Sequence, residues 1–291
     1  MRPPLFRLAA AVLLAGGTVA AAPAFAQGQT PPTAPPDIGA TGGNRVTVGV
    51  GVASLPDYQG ADDNDLTPGA VVVATIGGRD FFTRGTQLYV DLIRDAPGPG
   101  VNYELGVIGA ARLERTNNID NAQVAALGEI DTAYEVGGFV GISRTGVITS
   151  DFDTLSARVA VVQDVSGTHR SYVVTPQVNY TTPLSYTTLV SIGASADYVG
   201  KGFGRTYFGV TPVGTLASGL RTYDVRDAGW SRVNLSLFGI QSLSGDLRRG
   251  WGVGGGVLYG KMLGRYKRSP LVQDIGDSDQ WAFAAGLTYT F

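Results

Sequence analysis

Apolar and polar residues alternate along much of the chain, and the alternation is clearest from Asp279 to Phe291. One face of this stretch is apolar or aromatic, and the other is small or polar. The apolar face carries Trp281, Phe283, Ala285, Leu287, Tyr289 and Phe291. A period of two describes an extended strand with one apolar face. Aromatic residues at both ends of that face are typical of strands that cross a bilayer, so we predict a transmembrane strand here.

The same alternation predicts further strands upstream. In the first of them, Val46, Val48, Val50 and Val52 share a face opposite Thr47, Gly49, Gly51 and Ala53. Similar segments lie at 70–76, 88–92, 102–107, 136–142, 155–161, 172–180, 186–198, 205–210, 232–237 and 251–259. We therefore predict an all-β fold, a transmembrane antiparallel up-and-down β-barrel of about 12 strands (10–12).

A polar segment at 113–133 interrupts this pattern. With the strands numbered as above, it is a long connection on the periplasmic side, where short turns are the norm. We expect such a segment to dock a partner. The alternative is that the strand register is wrong in this part of the chain.

The start of the chain has the features of a secretory signal peptide. Arg2 and Arg7 accompany an apolar run, and Ala24-Phe25-Ala26 is a cleavage site of the small-x-small type. We predict a signal peptide at 1–26, a flexible periplasmic leader rich in proline and glycine at 27–44, and the barrel at 45–291. These assignments predict export, cleavage and localisation in the cell outer membrane.

The composition agrees with this class and excludes others. The chain has no cysteine, which excludes a disulfide scaffold and thiolate chemistry. It is 44% hydrophobic and 16% charged, with 42 glycines, and its net charge of −2 gives no indication of nucleic-acid binding. A soluble periplasmic β-sandwich is the alternative, but it would not account for aromatic residues at both ends of the strands.

Inward-facing glycines of the first strand and the last two strands form what we call the glycine wall. Its members are Gly49, Gly51, Gly252, Gly254, Gly256 and Gly286. Barrel closure would make these strands neighbours, and each glycine costs strand stability, about 0.5–1 kcal/mol. We expect a compensating close approach, either by an inward-folded loop (263–277, or the loop after Pro56) or by a bent wall.

The chain holds one histidine, His169, which lies near Ser166 and Ser171. A Ser–His hydrolase is an alternative that these residues leave open. The Ser-Gly-Thr turn before the histidine instead predicts a solvated side chain. We predict no catalytic residue, no cofactor and no metal site.

Several short motifs carry a family resemblance. They are Gly49-Val50-Gly51, Pro56-Asp57-Tyr58-Gln59-Gly60, Tyr207-Phe208-Gly209-Val210-Thr211-Pro212, Ser269-Pro270-Leu271-Val272 and the final Tyr289 to Phe291. In this order the chain resembles the MipA/OmpV family over about 45–291. The resemblance implies a Gram-negative outer-membrane barrel. In at least one member it implies a scaffold that links a lytic transglycosylase to a murein synthase.

Two functions follow as expectations. The first is a non-enzymatic scaffold whose partners are outer-membrane lipid, the barrel assembly machinery, and peptidoglycan enzymes such as a lytic transglycosylase and a murein synthase. The aromatic last strand resembles the assembly signal of outer-membrane barrels, carried by Trp281, Phe283, Leu287, Tyr289 and Phe291. The alternative is a small solute-diffusion channel of the porin kind, with inward charges of both signs from Asp91, Glu104, Arg112, Arg158 and Asp197.

Overall fold

The computed structural model describes residues 44–96, 98–116 and 119–291, and its architecture is a closed antiparallel barrel. The strands are β1 (Arg45–Pro56), β2 (Asn64–Ile76), β3 (Arg79–Arg84), β4 (Gln87–Asp91), β5 (Gly100–Arg112), β6 (Ala133–Thr145), β7 (Thr154–Asp164), β8 (Tyr172–Pro183), β9 (Thr188–Val199), β10 (Gly229–Ser242), β11 (Gly250–Met262) and β12 (Asp279–Thr290). The predicted barrel of about 12 strands is confirmed. The predicted signal peptide and nearly all of the predicted leader lie outside the described residues.

Closure depends on pairing between the first and last strands. Antiparallel partners run from Thr47 opposite Thr290 to Ser54 opposite Phe283. This pairing removes the two sheet edges that an open arrangement would leave to lipid. We call the end where β1 begins and β12 ends the terminal end, and the opposite end the capped end.

The period-two pattern separates an outer apolar face from an inner face. Val50 is 62% exposed while Ala53 on the opposite face is 2% exposed, although both lie in β1. Outward aromatic pairs gather at both ends of the barrel. Trp251 contacts Tyr289 near the terminal end, and Tyr259 contacts Trp281 near the capped end. Two such bands are typical of a barrel that spans a membrane.

Two errors in the predicted strand list compensate each other. The segment 88–92 is only the second arm of a short hairpin, β3–β4, whose first arm was missed. The segment 205–210, predicted as a strand, instead lies largely in a helix. The count therefore agrees, but the direction of every strand between them is reversed. The connection between β5 and β6 consequently lies at the capped end, opposite the terminal end. The structure therefore supports the alternative given above, that the strand assignment was wrong in this part of the chain.

Loops at the capped end carry short helices and close the mouth of the barrel. The helices are α1 (Ala122–Ala125), α2 (Lys201–Phe208), α3 (Pro212–Ser218), α4 (Gly264–Lys267) and α5 (Pro270–Gln273). Tyr58, Val124 and Leu271, from three different loops, share one buried cluster. Within the described ranges, none of the helices has the length and apolar character that a bilayer crossing requires.

A single carboxylate organises the β6–β7 turn at the terminal end. Asp153 is fully buried and accepts hydrogen bonds from the backbone N–H groups of Val147 (2.6 Å), Ile148 (2.8 Å) and Thr149 (2.5 Å). The Tyr180 hydroxyl donates to it as well, at 2.8 Å. Burial by itself would raise the pKa of Asp153, but these donors hold that pKa well below its usual range.

We predict that Asp153→Asn destabilises the barrel at neutral pH by about 1–3 kcal/mol, because the amide cannot satisfy all of these donors. A carboxylate with a lowered folded-state pKa stabilises the protein above its unfolded pKa of about 3.9. That stabilisation is lost as the pH falls through the lower folded value. The free energy of unfolding, measured by urea titration at pH 7 and at decreasing acid pH, should therefore converge for variant and wild type. The control is Asp151→Asn, an exposed carboxylate in the same turn. An equal effect of both substitutions would contradict the prediction.

Candidate functional site: the capped lumen

Glu135 is the centre of a buried charge cluster just under the cap. It lies near the start of β6 and is 1% exposed. Arg112, the last residue of β5, binds both of its oxygens, with Nε–Oε1 and Nη2–Oε2 distances of 2.9 and 3.0 Å. His169 Nε2 lies 2.9 Å from Oε1. A two-point contact with a guanidinium is a strong arrangement for a buried carboxylate.

The β7–β8 turn aims His169 into the lumen. Asp164 ends β7 and accepts hydrogen bonds from the backbone N–H groups of Ser166, Gly167, His169 and Arg170, at 2.7–3.1 Å. The turn itself is therefore as predicted, but the prediction of a solvated histidine is wrong, because His169 is only 3% exposed. The acid that precedes the Ser-Gly-Thr sequence was the signal that could have indicated an ordered turn.

Helix α2 covers this cluster with aromatic rings. Phe203 packs edge-on against the His169 ring at 5.4 Å and lies 5.0 Å from the Arg112 guanidinium. Tyr207 lies 5.7 Å from the same imidazole. Burial raises the pKa of Tyr207, and it raises that of Tyr266 of α4 to about 12. Both phenols are therefore neutral at physiological pH and act as packing groups.

Further ion pairs cross the lumen. Arg158 binds Glu104 at 2.5 Å, and its guanidinium also lies over the rings of Phe82, Tyr89 and Phe139. Arg232 binds Asp197 at 3.0 Å. The predicted inward placement of Asp91, Glu104, Arg112, Arg158 and Asp197 is confirmed. Charges of both signs therefore face the interior, and Arg112, Arg158 and Arg232 are each paired with a carboxylate.

Among the described residues, no serine hydroxyl hydrogen-bonds the His169 imidazole. The Nδ1 atom of His169 is buried without a hydrogen-bond partner among the described residues. Ser166, one of the two serines near His169 in sequence, donates its hydroxyl to Asp164 at 2.6 Å. A Ser–His mechanism needs the hydroxyl within hydrogen-bond reach of the imidazole. The cluster can hold charge and join the wall to the cap.

The structure places the residues of the glycine wall on the inner face of three adjacent strands. Gly51 lies opposite Gly286 across β1 and β12, and Gly286 lies opposite Gly254 across β11. A Cβ built on Gly51 would overlap the carbonyl oxygen of Ala285, so close approach of neighbouring strands requires glycine there. The loops expected to cover the wall close the mouth instead, since Tyr266 and Val272 pack with Phe208 of α2. A cavity of about 110 Å³ lies against the wall.

The apolar side chains of the last strand point outward. Trp281, Phe283, Leu287 and Phe291 are each about half exposed or more. Tyr289 packs between Trp251 and Phe291, at ring distances of 5.1 and 4.8 Å. These residues present the surface that an assembly signal requires, and that role stays a prediction.

Comparison with known proteins identifies the family. A family model described as "MltA-interacting protein MipA" matches residues 48–291. The chain belongs to the MipA family. This confirms the resemblance seen in the motifs, and it identifies the chain as an outer-membrane β-barrel. No curated protein matches this MipA-family chain.

Solved structures resemble this MipA-family barrel in fold alone. An outer-membrane channel from Pseudomonas putida F1 is 12% identical, with 88% of this chain and 99% of that chain covered and a TM-score of 0.44. OmpT of Vibrio cholerae is 10% identical over 86% and 97% of the two chains, with a TM-score of 0.36. The toluene transporter TodX of Pseudomonas putida is 9% identical over 88% and 90%, with a TM-score of 0.34.

Glu135 was not predicted as a site residue, because it lies between the polar segment 113–133 and the strand predicted from Val136. The signal was present, because Glu135 alternates with the outward residues Tyr134 and Val136. Its partners could not be predicted, since Arg112 and His169 reach it from other strands and turns.

We predict that Glu135→Gln lowers the free energy of unfolding of the MipA-family barrel by about 3–5 kcal/mol, because it leaves the buried Arg112 charge without its carboxylate. The measurement is urea unfolding in liposomes followed by tryptophan fluorescence. The matched control is Asp224→Asn, which breaks the exposed Arg205–Asp224 pair of the cap and should cost about 0–1 kcal/mol. Similar costs for the two variants would contradict the prediction.

Proposed function

We propose that this protein is a non-enzymatic outer-membrane scaffold that holds peptidoglycan-remodelling enzymes, a lytic transglycosylase and a murein synthase, close to the outer membrane. The observation that carries the proposal is the closed, charge-paired lumen beneath the cap. The description of the family as an MltA-interacting protein supports it as well.

A filled interior counts against diffusion through the barrel. The cavity beneath the cap, lined by Arg112, Glu135 and Phe203 among others, has a volume of about 40 Å³. That volume accommodates only a few water molecules. Opening a path there would separate buried ion pairs, which is costly. The small channel expected as an alternative therefore has less support than the scaffold.

The terminal end is the better candidate for the periplasmic docking surface. Short turns of outer-membrane barrels face the periplasm and longer loops face outward. The turns at this end expose large apolar side chains. They are Ile148, Phe152, Leu184, Tyr186 and Leu243. Exposed apolar patches commonly mark sites of interaction. Segment 113–133 lies at the other end, so these turns, together with the leader, replace it in the proposal.

We predict that affinity capture from mild-detergent envelopes, followed by protein identification, recovers a lytic transglycosylase with the wild-type protein. Combined Ile148→Ser and Tyr186→Ser substitutions should abolish recovery, because they remove side chains that are 70% and 87% exposed at the terminal end. Combined Val213→Ser and Leu216→Ser substitutions are the matched control. These α3 residues are 76% and 88% exposed but lie in the cap. Recovery of no murein enzyme by the wild type would overturn the scaffold.

In planar bilayers we predict no steady conductance steps from the wild-type barrel. The physical reason is the cap, together with the Arg158–Glu104 pair that lies deeper in the lumen. The control is a porin inserted under the same conditions. Regular ohmic steps from the wild-type protein would support the diffusion channel and count against a closed lumen.

A further inference from the structure

The cavity against the glycine wall adjoins a notch in the side of the barrel. The hairpin β3–β4 is short, so β2 pairs with β3 only from Val73 to Ile76. The next N–H group, that of Val72, donates a hydrogen bond to the Thr83 hydroxyl oxygen near the hairpin tip. Closer to the capped end, β2 pairs with β1 alone among the described residues. Pro68, which lacks an N–H group, lies in this stretch, which has a ladder partner on the β1 side only. Proline is typical of such strand edges.

The cavity reaches this notch. Its lining includes Gly69 and Ala70, from the part of β2 that has no partner on the hairpin side, and Gly85 from the hairpin tip. On the other side it is bounded by the glycine wall and by the Phe238 ring. The outer surface beside the notch is apolar, since Val50, Val52 and Leu66 are exposed there. Such a surface suits lipid, so the notch offers a lateral route from the bilayer to the cavity.

The cavity is apolar and of limited size. Glycine backbone, small side chains and the Phe238 ring form most of its surface, with a volume of about 110 Å³. A dry apolar cavity of about 150 Å³ accommodates benzene. The space beside the glycine wall therefore suits a short alkyl chain or a single ring, and it is too small to enclose a whole lipid.

Arg84, at the end of β3, supplies a charge at this cavity. It is 7% exposed and lines both the wall cavity and the cavity beneath the cap. Its Nη1 group donates to Gln177 Oε1 on the far wall. Its Nε atom is buried and has no hydrogen-bond partner among the described residues. The Nε edge of a guanidinium is one of the edges that binds carboxylates with two parallel hydrogen bonds.

Arg84 differs in this respect from the other buried arginines that face the lumen. Arg112, Arg158 and Arg232 each pair with a carboxylate. No carboxylate pairs with Arg84 within the part of the chain that the structure describes. A buried charge without a counter-charge is unfavourable, and an anionic ligand would offset that cost.

From these observations we propose that the wall cavity binds a small carboxylate with a short apolar body, such as a short-chain fatty acid or an aromatic acid. The carboxylate accepts hydrogen bonds from Arg84, and the apolar body lies against the glycine wall. The ligand enters through the notch between β2 and the β3–β4 hairpin. The site is separate from the periplasmic docking surface and does not require a path through the cap.

The wall itself offers a variant that tests the cavity independently of the charge. Gly51 and Gly286 cannot accept a side chain, because a Cβ at either would lie too close to the neighbouring strand. A Cβ at Gly254 would lie 3.4 Å from its nearest neighbours, which is ordinary contact. Gly254→Leu therefore fills the cavity from its wall. Gly109→Leu is the matched control, since Gly109 lies on the exposed face of β5 with open space around it.

The test is calorimetric titration of the full chain, folded in neutral detergent micelles, with hexanoate and with hexanol. We expect hexanoate to bind the wild type, and hexanol to bind about tenfold more weakly or worse. Arg84→Gln should weaken hexanoate by a similar factor, while Arg144→Gln, at an exposed arginine, should leave it unchanged. Gly254→Leu should abolish binding and Gly109→Leu should retain it.

Three outcomes would overturn the proposal. They are equal hexanoate affinity in wild type and Arg84→Gln, equal affinity of the wild type for hexanoate and hexanol, and displacement of hexanoate by phosphatidylglycerol added to the micelles. The last would assign Arg84 to a lipid headgroup. Heat-modifiable migration in gels checks that each variant folds. If Arg84→Gln does not fold, the comparison of Gly254→Leu with Gly109→Leu decides whether hexanoate binds in the wall cavity, and equal affinity of these two variants would overturn the proposal.

Discussion

In a bilayer, every backbone N–H and C=O group of the barrel must find its hydrogen-bond partner within the protein. Hydrocarbon offers no partner to an N–H or C=O group, so a spanning sheet must close on itself. Here closure is made by the register of β1 against β12, from Thr47 opposite Thr290 to Ser54 opposite Phe283. That register also brings the glycines of β1, β12 and β11 together on one inner surface. The glycine wall is thus a consequence of closure.

Closure leaves an interior that the protein fills with charge. Burying ions is costly unless each is paired and hydrogen-bonded, and the pairs centred on Glu135, Glu104 and Asp197 meet that requirement. The Glu135 cluster has the further effect of joining strands β5 and β6 to the β7–β8 turn, on which the cap helix α2 packs. The ion pair with Glu135 that neutralises the buried Arg112 charge therefore also positions the cap over the lumen. This paired interior is the basis of the proposed scaffold role.

The sector around β2 and the β3–β4 hairpin departs both from complete strand pairing and from the pairing of buried charges. The hairpin stops short, so β2 has one ladder partner over part of its length. Among the described residues, no carboxylate pairs with Arg84 at the hairpin tip. The glycine wall lies next to the same place and leaves space behind the notch. Proteins commonly depart from complete pairing at functional sites and compensate for the cost elsewhere in the structure. This sector is where the present barrel is least explained by stability alone.

The fold class and the faces of the strands could be predicted from the amino-acid sequence alone. A period of two from Val46 to Val52 and from Trp281 to Phe291 is a local property, and it predicts which side chains meet lipid whatever the strands pair with. The inward residues of the glycine wall, and inward charges such as Arg158, followed from the same alternation. The motifs near Pro56 and Tyr207 were sufficient to indicate the family.

The positions of the connections and the contacts of the inward side chains could not be predicted in this way, because they depend on how the strands are arranged in space. Strand direction depends on the parity of every strand before it, so missing the short arm β3 reversed the side assigned to 113–133. His169 was predicted as solvated because its turn is polar. It is buried because Asp164 closes that turn inward and because Glu135, distant in sequence, accepts its hydrogen bond. The period-two pattern predicts which face of a strand a side chain lies on. The partners of that side chain across the lumen depend on strand register and barrel curvature, which a local sequence pattern does not specify.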